Sequence, residues 1–278
     1  MITLRPMVAD DLPHAHRLSQ AVGWGHRLQD WKLMFDLGHG FVAFDRSSAI
    51  QGVALWWPFG DEYATLGMLI VSPHLQKSGI GRQLMEAILA AAGSRRIELN
   101  ATPAGLHLYE RMQFVPAGRI CTHIGTLSVD VQPVPSGINV RHVRAGDWSS
   151  LRSLDRRASS MDRTRLLDAL AAESRGFVAE VDNRITGYLL CREFGKAKVL
   201  GPVVAESEQS ALALISAAAV EIGGVLRADI PEDAALLSAW LSDAKLPRVG
   251  QVQTMWKGGA PAGDGTVRIF ALASQALG

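Results

Sequence analysis

The run Met68-Leu-Ile-Val-Ser-Pro-His-Leu-Gln-Lys-Ser-Gly-Ile-Gly-Arg-Gln-Leu-Met85 has the residue types and order of an anion-binding turn. Its apolar start reads as a buried strand that Ser72-Pro73 stops, because proline donates no ladder hydrogen bond. Gly81–Ala92, rich in Ala and Leu, reads as the helix that follows. Gln76 to Arg82 therefore lie at a helix N-terminus, where unpaired N–H groups and the positive end of the dipole meet an anion. Gly79 and Gly81 let the backbone approach that anion closely, and Lys77 and Arg82 add charge. The chemistry that fits is pyrophosphate binding. The run lacks the G-K-[ST] ending of a Walker loop and the third glycine of a dinucleotide fingerprint.

Gln76-x-x-Gly79-x-Gly81 resembles the Q/R-x-x-G-x-G/A motif of the GNAT superfamily of acetyl-CoA-dependent N-acetyltransferases. Asn100-Ala-Thr-Pro-Ala-Gly-Leu-His-Leu-Tyr109-Glu-Arg-Met-Gln-Phe114 resembles that family's "A…LYE..GF" helix, with Gln113 where glycine is usual. The resemblance covers about residues 1–130. It implies acetyl-CoA as cosubstrate. No metal is expected, since His14 and His16, two apart, fall on different helix faces and no third ligand accompanies them. Backbone groups of Leu69, Ile70 and Val71 would hold the pantetheine arm like an added strand. Gln76, Lys77, Ser78, Gly79, Ile80, Gly81 and Arg82 would hold the pyrophosphate. Asn100 and Tyr109 match positions near the thioester, and Tyr109 is the implied general acid for the departing thiolate. A thiol pKa near 8.5 makes that a modest demand on a phenol.

A general base is harder to place. The position on the fourth strand where some relatives carry glutamate falls near Thr65, which cannot serve, and Asp61, Glu62 and His74 are loop alternatives. The resemblance puts the acceptor beside the loop Ala21–His26. There Trp24, between two glycines, and Glu62 are expected to meet a cationic amine, through cation–π attraction and charge. Trp56 and Trp57 are adjacent on a strand and point to opposite faces, so one of them is expected to face outward.

The elements that position these residues recur. Residues 2–18 (ITLRPMVADDLPHAHRL) and 138–154 (INVRHVRAGDWSSLRSL) match at Ile2/Ile138, Arg5/Arg141, Ala9/Ala145, Asp11/Asp147 and Leu18/Leu154. The same offset lays GFVA at 40–43 on GFVA at 176–179. Collinear matches of this kind indicate a duplicated fold. The first copy reads as a strand (Ile2–Arg5), a helix that Asp10 or Asp11 can cap, and a helix over Leu28–Leu37. Strands over Gly40–Asp45, Ile50–Trp57 and Tyr63–Val71 follow, then the helix Gly81–Ala92. A strand over Ile97–Ala101, a helix over Ala104–Met112 and a last strand over Arg119–Val129 complete it. The expected fold class is α/β with a mixed sheet (α+β in type), as two tandem GNAT-like domains over 1–130 and 138–278. The Pro-rich run VQPVPSG (131–137) is the expected linker. The second copy has Val204-Ala-Glu-Ser-Glu-Gln-Ser in place of the glycine turn, and Glu206 and Glu208 would repel a pyrophosphate there. It is expected to be a degenerate domain without CoA, one that can wall the acceptor site with Asp229 or Asp155.

The chain has 278 residues, 28 Lys+Arg and 27 Asp+Glu. Up to Asp130 there are 11 basic and 11 acidic residues, so neither half carries the basic excess of a nucleic-acid footprint. At 48% hydrophobic and 20% charged residues the composition is that of a globular protein. Two cysteines, Cys121 and Cys191, make no disulfide framework, and no run is long and apolar enough to span a bilayer. A cytoplasmic protein is expected, a monomer (internal pseudo-dimer) or homodimer, with a small-molecule amine as partner and neither nucleic acid nor membrane. The leading expectation is transfer of acetyl from acetyl-CoA to a primary amine by direct attack. A peptide or protein N-acetyltransferase and a non-catalytic CoA-binding regulatory module are the alternatives.

Overall fold

The structure is a computed structural model that describes residues 2–127 and 137–278. Apart from Gly137, the linker expected at 131–137 lies outside the described residues. The first copy runs β1 (Thr3–Pro6), α1 (Leu12–Ala21), α2 (Leu28–Leu37), β2 (His39–Phe44), β3 (Ile50–Phe59) and β4 (Tyr63–Val71). It continues with α3 (Ile80–Ala92), β5 (Arg96–Ala101), α4 (Leu106–Arg111) and β6 (Val115–Thr126). The second runs β7 (Asn139–His142), α5 (Trp148–Ser159), α6 (Thr164–Glu173), β8 (Arg175–Val181), β9 (Arg184–Phe194) and β10 (Ala197–Ala205). Then come α7 (Glu208–Ile222), β11 (Val225–Pro231), α8 (Ala235–Asp243), β12 (Arg248–Lys257) and a short β13 (Arg268–Ala271).

The repeat visible in sequence is a repeat of contacts. Arg5 grips Asp11 at 2.6 Å and Arg141 grips Asp147 at 2.7 Å. In each copy that carboxylate also accepts a backbone N–H three residues before it, from Val8 at 2.9 Å and from Arg144 at 2.7 Å. Asp11 thus closes the short turn before α1 rather than capping the helix itself.

All strands lie in one mixed sheet of order β1-β2-β3-β4-β5-β12-β6-β11-β10-β9-β8-β7, with β13 on β10. Among the described residues only β4/β5 and β10/β11 are parallel. The two copies exchange their last strands across the centre. β6 does not reach β5, because β12 of the second copy lies between them, with Thr254 opposite Asn100 and Val252 opposite Ile120. The other edge of β6 pairs with β11, Ala228 facing His123. Both ladders of β6 are therefore made with the second copy.

Helices cover the two faces of this sheet. Ile80, Leu84, Met85, Ile88 and Ala92 recur at helical spacing and bury α3 against Leu66, Ile97, Leu99 and Met255. On the opposite face Trp31, Met34, Leu55 and Trp57 share one core with Leu151, Leu167, Tyr188 and Leu277 of the second copy. The expectation that one of Trp56 and Trp57 faces outward is therefore corrected. They do point to opposite faces, but both faces are covered, and the rings are 6% and 1% exposed. Among the described residues no helix is long and apolar enough to cross a membrane.

Candidate active site

The first copy's parallel pair opens at the point where the sequence places its glycine turn. Pairing of β4 with β5 ends at Leu66 and Leu99. Beyond it β4 keeps only β3 as neighbour, with Ile70 opposite Val53 and Val71 opposite Gly52. Over the same stretch β5 stays on β12. A register shift between Val53 and Leu55, and a left-handed φ of 54° at Met68, mark a bulge that bends β4 away. The backbone edge of Leu69, Ile70 and Val71 is left open, the geometry that accepts an extended ligand as an added strand.

At the end of that edge lies the turn. Gln76, Lys77, Ser78 and Gly79 are exposed, and Lys77 and Gly79 are left-handed at φ 63° and 90°. Gly79 precedes Ile80 as the cap of α3, and the first helical bond runs from Gln83 N–H to Gly79 C=O. The amides of Ile80, Gly81 and Arg82 precede that bond and point outward from the helix end. A methyl group built on Gly79 meets nothing within 4 Å, and one on Gly81 makes only ordinary contact with Leu108 and Val71. The space beside these glycines is not needed by the protein, and its donor set suits a pyrophosphate. Arg82 is exposed and held to Glu86 at 2.8 Å.

Tyr109 follows Leu108 on α4, so the helix that packs on Gly81 also carries the phenol. The Tyr109 ring is 8% exposed and stands edge-on to Phe114 at 6.0 Å. A methyl group on Gly105 would come within 2.9 Å of Tyr109 Cε2, so the glycine makes room for the ring. Burial pushes the phenol pKa up and keeps the proton on it.

A cavity of about 440 Å³ opens beside the bulge, walled by both copies. Trp24 and His26 line it from the α1–α2 loop, Gly67 and Met68 from β4, and Asn100 from β5. The second copy contributes Phe194 to Ala197 from the β9–β10 turn, Arg227 from β11, and Ser274 to Ala276. The loop is fastened to that turn by Asp30, which accepts Gly195 N–H at 2.8 Å and pairs with Arg27 at 2.7 Å. Burial opposes ionisation of Asp30, but these donors outweigh it and hold the carboxyl below its usual range. Asn100 is spent on structure: its Nδ2 donates to Gln275 C=O at 2.9 Å and its Oδ1 accepts from Thr254 at 2.7 Å. Gly67 is required by the same segment, since a methyl group there would lie 2.8 Å from Ala276 Cβ.

Trp24 and Asn100 thus meet in the cavity, but Glu62 does not. Glu62 and Asp61 are exposed in the turn before β4, beside Arg96 at 3.7 Å and Arg95 at 3.2 Å. The lining begins only at Gly67, because the strand carries the chain away from that turn before it reaches the bulge. His74 is exposed and sits 2.9 Å from Ser72 Oγ.

Two titratable groups escape sequence reasoning. His26 stands edge-on to Trp24 and to Phe194, at 5.7 and 5.3 Å, and burial lowers its imidazole to about 4 against the pull of Asp30. Glu98 faces Thr65 in the β4–β5 register, and burial raises its carboxyl to about 7 against the pull of Arg163. Their effects on stability oppose each other. Between pH 6.5 and about 4 only the unfolded chain protonates His26, so its contribution is lost as pH falls. Between pH 4.5 and about 7 only the folded chain keeps the Glu98 proton, so that contribution is lost as pH rises. Relative to wild type, Glu98→Gln should make the melting temperature fall more steeply as pH drops from 6.5 to 4.5. His26→Gln should make it fall less steeply over the same drop. Thermal melts of the three proteins across this range check both slopes.

The second copy closes what the first leaves open. β10 and β11 pair only at Lys198–Leu226 and Val199–Arg227, and the gap beyond is filled by β13, with Val203 opposite Ala271 and Ala205 opposite Arg268. The start of α7 is satisfied internally, since Ser207 Oγ accepts Ser210 N–H at 3.1 Å. Glu206 before it is paired with Arg184 at 2.6 Å.

Family comparisons agree with this geometry. Two family models, each described as an acetyltransferase (GNAT) domain, match residues 36–116 and 151–271. The chain is 28% identical over 269 residues to the uncharacterized N-acetyltransferase YitH of Bacillus subtilis strain 168, covering 94% of this chain and 93% of that protein. In fold it is similar to a Pyrococcus horikoshii protein provisionally assigned as an acetyltransferase, at TM-score 0.79 and 21% identity, covering 100% of this chain and 96% of that one. It is also similar to a tandem GNAT protein from the clavulanic acid biosynthesis pathway, at TM-score 0.66 and 17% identity, covering 94% and 100%. With both copies matched and their arrangement shared along the whole chain, this protein belongs to the GNAT acetyltransferases, in their tandem-domain form.

Proposed function

We propose that the first copy moves acetyl from acetyl-CoA to the primary amine of a small molecule held in the cavity between the copies. The observation that carries this reading is continuity: the open β4 edge and the glycine turn lead to a cavity of small-molecule size at the bulge. Bound acetyl-CoA would supply an acetyl group activated as a thioester. Gln76 to Arg82 hold its pyrophosphate through backbone amides, and Leu69, Ile70 and Val71 hold its arm. Tyr109, kept protonated by burial, is the acid for the sulfur. His26 is a neutral ring in the cavity wall able to take a proton, and an amine that arrives neutral needs no stronger base. The acceptor attacks directly, with no covalent acyl-enzyme.

The chain divides on this reading into a catalytic domain over 1–130 and a second domain over 138–278 that binds no CoA. The filled gap at β13 and the self-capped α7 support the second assignment. Free-thiol release from acetyl-CoA against a panel of amines, with calorimetry of acetyl-CoA, tests the whole proposal, and absence of CoA binding would refute it. Tyr109→Phe should lower kcat by about 10²-fold, the scale of a lost general acid, while the Kd of acetyl-CoA stays unchanged. An unchanged kcat would remove Tyr109 from the acid role.

A further inference from the structure

The charged side chains that line the cavity are of one sign. Among the described residues no Asp or Glu lines it, and the cationic lining groups are Lys196 and Arg227. Lys196 is exposed at the β9–β10 turn and makes no ion pair or hydrogen bond with any described residue. Arg227 is built into place. Its Nε and Nη2 donate to Asp229 at 2.7 and 3.0 Å, and its guanidinium lies 5.4 Å from the centre of the Phe194 ring. Asp229 is fully buried and also accepts from Thr122 at 2.6 Å and Gln275 at 3.0 Å. Its charge is divided among these donors behind the wall, and Arg227 Nη1 is left without a protein partner among the described residues.

A third cation reinforces this end. Arg192 is 5% exposed and lies 5.1 Å from the Phe194 ring, and its buried Nη1 has no partner among the described residues. A buried guanidinium N–H without a partner is costly unless an acceptor comes near. Two carboxylates, Asp30 and Glu173, act on Arg192 from nearby, and Asp30 is already committed to Arg27 and to Gly195 N–H. A simple cationic amine would meet repulsion here.

Building on the acetyl-transfer reading above, we infer that the acceptor is an amine that also carries an oxyanion, carboxylate or phosphate, held by Lys196 and Arg227 with its amine toward the Gly67–Met68 bulge. Trp24, His26 and Phe194 supply the aromatic part of the lining. A fixed guanidinium and an exposed ammonium lining one cavity suit an oxyanion, which accepts several charge-assisted hydrogen bonds at once.

Matched acceptors test this directly in the thiol-release assay. The series comprises α-amino acids with their carboxamides and decarboxylated amines, ethanolamine with its O-phosphate, and glucosamine with its 6-phosphate. Anionic members should exceed their neutral twins in kcat/KM by at least about tenfold, the worth of one charge-assisted contact. Carboxylates ahead of phosphates, or the reverse, identify which oxyanion the site takes. Lys196→Gln should shrink that advantage several-fold with the melting temperature and the acetyl-CoA Kd unchanged. Arg227→Lys, which keeps a charge for Asp229, should shrink it as well. Preference for the neutral twin, an advantage untouched by both variants, or turnover of no anionic member by a protein that binds acetyl-CoA would each overturn the inference. Failure to bind acetyl-CoA would instead overturn the acetyl-transfer reading beneath it.

Discussion

Gly81→Glu should weaken acetyl-CoA binding by at least about 100-fold and leave the protein folded. The fold tolerates a side chain there, because a Cβ on Gly81 meets Leu108 at 3.6 Å and Val71 at 3.7 Å, which is ordinary packing distance. Replacing glycine inside a helix also gains up to about 1 kcal/mol of propensity. A carboxylate in the first turn of α3 would satisfy the amides of Ile80 to Arg82 itself and repel a second anion from the same place. Binding and stability should therefore separate. Gly79→Ala is the contrasting variant: its φ of 90° strains any side chain, costing about 1 kcal/mol of stability, while the cradle's charge is unaltered. Calorimetry with acetyl-CoA and thermal melts of both variants check the pair. Unchanged affinity in Gly81→Glu would place the pyrophosphate elsewhere.

Neither half of this chain should fold to a stable monomer by itself. A fragment ending at residue 136 keeps β6 but loses both neighbours of that strand, since β12 and β11 belong to the second copy. It also strips β12 from β5, exposing two long edges at the centre of the sheet. The complementary fragment loses β6 from between β11 and β12 and uncovers Leu151, Leu167 and Leu277, which share a core with Trp31 and Trp57. The expected result is aggregation or self-association of each fragment, and recovery of the native circular dichroism spectrum and cooperative melt when they refold together. A monomeric first fragment with a cooperative melt near that of the whole chain would show that the exchange contributes little.

How much of this was legible differs from element to element. The Arg5–Asp11 pair and its twin Arg141–Asp147 were visible as matched residues, and the contact they make is local, within six residues. The strand-to-helix turn at Gln76–Arg82 was legible for the same reason, since proline, glycine and helix periodicity act on their immediate neighbours. At Trp56 and Trp57 period two assigns a face to each ring but not what covers that face, and both rings are buried. Glu62 is near β4 in sequence but outside the cavity, because a strand advances about 3.3 Å per residue and carries the site away from its own turn.

Arg227, Phe194 and Gln275 carry no motif at all, and they line the first copy's cavity only because the second copy lies across it. The same holds for β6 and β12. Each was recognisable as a strand, but an unpaired edge accepts any strand of suitable register, and nothing in either strand's own residues names its neighbour. Local hydrogen bonding, capping and periodicity therefore defined the elements, the duplication and the glycine turn before α3. Long-range pairing and burial decided which copy completes which sheet, and so decided that the cavity of the first domain is walled by the second.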